Sequence, residues 1–217
     1  MARHTREDAA VTRARILASA QQLIRHRGLH CVTVDDVARA IGMTRGAVYG
    51  HFRSRTELLG ALLSCAENDF ATRLAPLAQG RAGTGPGALE QALATLLHGD
   101  DLARHVSLLA ALLQHKCGDA CELCPLRARV LAGVEALRGT LAALLPAPGL
   151  SNVLMAHLWG LLSAHAMHLA PSGLSGCAAS LARLYQGHDV RSHPALPASL
   201  SCRPNATFDP TLVRDTP

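Results

Sequence analysis

The 217 residues, 49% hydrophobic but only 3% aromatic, can bury a sizeable core built of Leu, Ala and Val, which favours helices over sheets. The formal charge of +5 is unevenly placed: residues 1–60 hold ten Arg against five acidic residues, and the remainder balances at eleven of each. The charged start MARHTREDAA has no apolar signal run and the seven Cys are an odd number, which argues against secretion and a disulfide frame and for a cytoplasmic chain with reduced thiols.

In chain order, Met1 to Asp8 is expected to be a mobile basic arm. Ile16, Leu17, Ala20, Leu23 and Ile24 form one apolar stripe of a helix over Ala9 to His26, which Arg27-Gly28 ends. Leu29 and Val32 are expected to pack beneath the next two helices, and Cys31 to fill a small core site. Thr33 is a good N-cap with Asp35 and Asp36 in the first turn behind it, and Val34, Val37 and Ala38 recur at helical spacing up to a stop at Ile41-Gly42. Thr44 then caps a second short helix whose exposed face offers Thr44, Arg45, Gly46, Tyr49 and His51, with Ala47, Val48 and Phe52 turned inward. Two short helices across a tight glycine turn are the geometry that sets the second into a DNA major groove.

The segment Gly28 to Leu59, with TVDDVARAIGMTRGAVYGHF at its centre, resembles the N-terminal domain of the TetR family of bacterial repressors, and within it the multidrug-efflux-repressor branch. The resemblance implies an all-α homodimer, with a three-helix helix-turn-helix domain over residues 1–56 and a helical effector-binding and dimerisation domain over 57–187. One departure is Gly50, where the pattern usually has an aromatic residue or histidine. The residues expected on DNA are Thr33, Thr44, Arg45, Gly46, Tyr49, His51, Arg53 and Arg55. Arg45 is long enough to read a guanine edge, Gly46 permits close approach, and the hydroxyls and remaining cations suit phosphates.

Leu58, Leu59, Leu62, Leu63, Ala66, Phe70, Leu74 and Leu77 then define a helix over Glu57 to Ala78, long enough to pass from one domain into the next. A glycine-rich loop from Gln79 to Gly87 comes next. Further helices are expected over Ala88 to His98, Leu102 to Lys116 with Asp100 or Asp101 as cap, Pro125 to Leu145, Leu150 to Ala170 and Gly173 to Gln186. The long apolar run contains Asn152, His157, His165 and His168, which argues against a membrane span; the three His share a helical face and read as core or interface residues. By resemblance, the helices within 150–187 form the dimer interface. Residues 188–217 have several prolines and no period, and are expected to be a disordered tail.

The stretch His115 to Cys124, HKCGDACELC, departs from the family pattern at Cys121 and Cys124. His115, Cys117, Cys121 and Cys124 match a tetrahedral zinc set by type, although the spacing is compressed. Either Asp119 and Glu122 box a helix whose first turn holds Cys121 and Cys124, or Pro125 starts that helix and the thiols lie in a loop. The site is a metal or oxidant sensor on one reading, a set of small packing residues on another, and incidental lining of a drug-like pocket on a third. The function read from the whole chain is a non-enzymatic, ligand-responsive repressor. Its partners are a palindromic double-stranded DNA operator and a hydrophobic, aromatic or metal effector, with an efflux or detoxification operon as target. The alternative is a thiol- or metal-handling protein or redox enzyme using Cys121 and Cys124, against which stands the lack of strand alternation.

Overall fold

A computed structural model describes residues 2–78, 87–99, 101–115, 121–147, 149–167, 169 and 174–186, all within one compact unit, Met1–Gly187. The expected loop over 79–86 and the expected tail over 188–217 lie outside the described residues. The described elements are all helical, as expected: α1 (Ala2–Arg27), a 3-10 turn (Leu29–Cys31), α2 (Val34–Ala40), α3 (Arg45–Tyr49), α4 (Arg55–Ala78), α5 (Ala88–Leu96), α6 (Leu102–Gln114), α7 (Cys124–Ala142), α8 (Leu150–Ala166) and α9 (Ser175–Gln186).

The first helix departs from expectation at its start. It begins at Ala2, so residues 2–8 are helix in place of the expected arm; no glycine or proline interrupts them. Gly28 ends α1 at φ 82°, and the 3-10 turn then faces Leu29 inward. Cys31 is correspondingly exposed and fills no core site, because the tight turn can bury only one of its three side chains. Gly42, at φ 69°, makes the reversal between α2 and α3, in which the Met43 amide donates to the Ala38 carbonyl at 2.9 Å.

Two apolar cores result. The first joins Ile16, Ala20 and Ile24 of α1 to Val37, Val48, Phe52 and the start of α4, and it also takes in Leu108 and Leu112 of α6, Leu123, and Leu126 and Val130 of α7. The second gathers Leu89 and Leu93 of α5, Leu154 and Leu158 of α8, and Ala178 and Leu181 of α9. Helix α4 serves both, with Leu58 to Leu63 in the first and Phe70 and Leu74 against the second. Its 24 residues span about 36 Å.

Candidate nucleic-acid interface

Local chemistry fixes the reading unit before any long-range contact does. The Thr33 hydroxyl accepts from the Asp36 amide at 3.2 Å while the Asp36 carboxylate accepts from the Thr33 amide at 3.0 Å, a reciprocal capping box at the start of α2. The Thr33 hydroxyl, which also donates to the Asp36 carboxylate at 2.5 Å, and then the Thr33 amide, reinforced by Arg39 and Arg27, hold the Asp36 carboxyl below its ordinary pKa. Thr44 caps α3 by accepting from the Ala47 amide at 3.2 Å. Ser54 does the same for α4 through the Glu57 amide at 3.0 Å, and Glu57 reaches back to the Arg53 amide at 2.6 Å.

This frame leaves Thr33, Thr44, Arg45, Gly46, Tyr49 and Arg53 exposed, with His51 half-buried. Val48 and Phe52 are buried as expected, but Ala47 is exposed, since a helix of only five residues buries a single side chain. The Arg45 side chain is 65% exposed. It lies over the Tyr49 ring at 5.2 Å, with its guanidinium Nη2 3.4 Å from the Tyr49 hydroxyl and Nε 3.1 Å from Asp35 Oδ1 on α2. The Tyr49 hydroxyl first, and then the Asp35 carboxylate, hold the guanidinium above its ordinary pKa. The Asp35 contact is an ion pair without hydrogen-bond alignment. A Cβ built on Gly46 would meet nothing within 4 Å. Nothing inside the protein therefore requires glycine at this exposed position.

Arg55 is placed differently from the other expected contacts. Its Nε donates to the Val32 carbonyl at 2.8 Å and its Nη2 to the Leu29 carbonyl, so the guanidinium clamps the 3-10 turn to the start of α4. Sequence reasoning also missed Asp35, which it read only as a dipole charge, and Arg13, whose guanidinium sits 4.7 Å over the Phe52 ring. No local pattern signals either contact, because the partners lie in different parts of the fold, Asp35 on α2 against α3 and Phe52 after α3 against α1.

Cys117 lies outside the described residues, and among those described no group of three or more His, Cys, Asp or Glu side chains is placed to hold a metal ion. Helix α7 starts at Cys124 with proline in its first turn. The Glu122 carboxylate accepts from the Thr56 hydroxyl at 3.1 Å, and Asp119, its expected box partner, lies outside the described residues. Asp101 occupies the cap position of α6 but pairs with Arg104 in place of capping. His115 and Cys121 do remain together, with imidazole Nε2 2.9 Å from the thiol sulfur. His157 bonds the Tyr185 hydroxyl at 2.7 Å across α8 and α9, and His168 lies outside the described residues.

Between α4, α6, α7 and α8 lies a cavity of ≈ 290 Å³ walled by Phe70, Leu109, Val130, Met155 and Trp159, among others. Glu67 and Arg129 are its charged lining residues, joined as an ion pair with Arg129 Nε 3.2 Å from Glu67 Oε1.

Residues 16–62 match the family described as "Bacterial regulatory proteins, tetR family". The HTH-type transcriptional regulator TtgR of Pseudomonas putida is 31% identical over 128 residues, 58% of this chain and 60% of that protein. The HTH-type transcriptional regulator AcrR of Shigella flexneri is 28% identical over 117 residues, 54% of each. The chain thus spans about 60% of the length of the first of these relatives. Among solved structures, NalD, the secondary repressor of the MexAB-OprM multidrug efflux pump in Pseudomonas aeruginosa, superposes with a TM-score of 0.55 at 25% identity, covering 80% of this chain and 93% of that one. The multidrug binding protein EbrR complexed with malachite green does so with a TM-score of 0.58 at 23% identity, covering 80% and 97%.

Proposed function

We propose, from the match of residues 16–62 to the family described as "Bacterial regulatory proteins, tetR family", that this chain is a cytoplasmic repressor that grips a palindromic operator as a homodimer and lets go when an effector binds. The observation that carries the proposal is the surface of α3. Thr44, Arg45, Gly46 and Tyr49 are exposed together on a helix capped at its start, and Gly46 is bare where the protein's own packing would admit a larger side chain. A major groove needs that arrangement: a flat approach, one long donor for a base edge, and hydroxyls for phosphates.

The body supplies the other two parts. Helix α8 exposes Val153, Ala156 and Gly160 at steps of three and four, and α9 exposes Leu184, with Val153 50% and Leu184 54% accessible. Small residues beside large apolar ones suit a helix-on-helix seam between two copies. The cavity, at the small end of the roughly 300–1,000 Å³ range of ligand pockets, suits a hydrophobic or aromatic effector. The likeness to NalD, an efflux-pump repressor, and to EbrR, which holds malachite green, favours an efflux operon and a drug-like ligand.

Val130 connects the two ends, since it lines the cavity and belongs to the core that supports the reading helices. A ligand pressing on α7 displaces that core, and an effector that prefers the displaced state weakens DNA affinity by its preference ratio.

Selecting duplexes from a randomised pool and measuring their affinity at several salt concentrations tests the reading. Arg45→Ala should cost about 1–3 kcal/mol against the preferred base and relax selectivity there, while Tyr49→Phe should weaken all duplexes alike. Equal loss of discrimination in both variants contradicts the assignment. Gly46→Ala should bind DNA more weakly without losing stability.

A further inference from the structure

Three titratable side chains from separate parts of the chain form a relay outside the DNA surface and the cavity. Cys121 Sγ lies 2.9 Å from His115 Nε2, and His115 Nδ1 lies 3.3 Å from His30 Nε2, with the two imidazole rings 4.8 Å apart. In this order the three have the roles of an activated nucleophile: a thiol, a base within reach of its proton, and a third group that orients the base from behind. The thiol is half-buried and packs against the first apolar core, while His30 is exposed.

The position matters as much as the chemistry. His30 belongs to the 3-10 turn that precedes α2, and Cys121 shortly precedes α7. The neighbouring residues fasten the same junction: Glu122 accepts from Thr56 on α4, and Leu123 is buried in the core beneath the reading helices.

We propose that Cys121 is a reactive thiol for soft, apolar electrophiles of the Michael-acceptor class, such as quinones and maleimides, and that its adduct unfastens α7 from the reading unit. His115 Nε2 takes the thiol proton. The thiolate pair forms a C–S bond at the β-carbon, the C=C pair moves onto the carbonyl as an enolate, and the imidazolium returns its proton to that enolate. The addition is balanced and needs no oxidant. Packing against apolar residues favours an uncharged, polarisable reactant. The bulk of the adduct on Sγ then displaces the His115 ring, which meets His30 through its other nitrogen. The effect on DNA rests on the repressor reading, whereas the reactivity does not.

The full chain is treated with substoichiometric N-ethylmaleimide and its cysteines are compared by peptide mass spectrometry. An unassisted thiol is only a few per cent thiolate at pH 7, so a base-assisted one gains at most ~30-fold, and about 10-fold after its lower intrinsic nucleophilicity is allowed for. Cys121 should therefore react about 10-fold faster than the exposed Cys65, and between pH 6 and 8 its rate should rise far less steeply than the roughly tenfold per unit of an unassisted thiol. His115→Gln should abolish the advantage and His30→Ala should reduce it. A Cys121 no faster than Cys65, or an unchanged rate in a folded His115→Gln variant, overturns the proposal, and the wild-type pH profile decides it should that variant not fold. Modification by peroxide but not by quinone overturns the electrophile class. Treatment with 1,4-benzoquinone should then weaken binding to a selected duplex about 10-fold in the wild type and not in Cys121→Ser. Unchanged binding by the adduct overturns the sensing step. If no duplex is selected at all, the repressor reading fails while the labelling result stands.

Discussion

The reading unit and the helical body are held together in different ways. In the reading unit, side chains secure the ends of the elements: the Thr33 and Asp36 box, Thr44, the Ser54 and Glu57 pair, and Arg55 on the carbonyls of Leu29 and Val32. In the body, the starts of α5, α6, α7 and α8 have no side-chain capping bond among the described residues, and apolar packing around a cavity holds the helices instead. Caps and clamps specify a geometry locally, whereas packing around a void tolerates several. One half can present a fixed face while the other changes shape around a guest.

The sharpest way to break this contrast is Arg55→Ala. Removing a charged donor from two buried-segment carbonyls should cost roughly 2–4 kcal/mol in chemical denaturation, against less than about 0.5 for the exposed Arg53→Ala. Equal effects would mean that the clamp contributes nothing. Next in size, Thr33→Ala should cost about 1 kcal/mol, and hydrogen exchange should place the loss in α2 rather than in the body.

Gly133→Ala acts on the other half. Gly133 lines the cavity and a Cβ there meets nothing within 4 Å, so alanine should raise stability by about 0.5–1 kcal/mol through helix propensity while narrowing the space for a ligand. A calorimetric titration with malachite green should then show weaker binding than wild type; unchanged affinity would place the ligand elsewhere.

The smallest effects are those of pH, and they separate the halves by window. Burial pushes the His105 imidazole, between α4 and α6, below its ordinary pKa of 6.5, against the pull of Asp69 and with the help of Arg73 and Arg104. A depressed histidine favours folding while neutral, so its contribution is whole above pH 6.5 and is lost as pH falls through its lowered value. Asp36 is depressed from 3.8, so the stability it adds to the reading unit is whole above that pH and is lost only in stronger acid. Hydrogen exchange at pH 7 and pH 5 should show loosening near His105 with α2 unchanged; loosening of α2 first would reverse the contrast.

The elements and much of the DNA-facing set are legible in the sequence because each rests on neighbours in the chain. Thr33 and Thr44 cap the helices they begin, Gly42 turns between them, and apolar spacing marks α1 and α4. Periodicity predicts burial for Ala47 and Cys31 and fails at both, because it overstates how much a five-residue helix or a 3-10 turn can hide.

What the sequence determined by itself is the helical class, the helix-turn-helix and the charge on its side of the chain, since these depend on spacing and composition within a few residues. Only the tertiary structure decided that Arg55 clamps carbonyls 23 and 26 residues away, that Arg45 is held by Asp35, and that His115 meets His30 at a separation of 85 residues. The physical reason is that a side chain's role is set by which donors and acceptors lie within about 3 Å of it. Long-range packing brings those atoms together, and no local pattern records them.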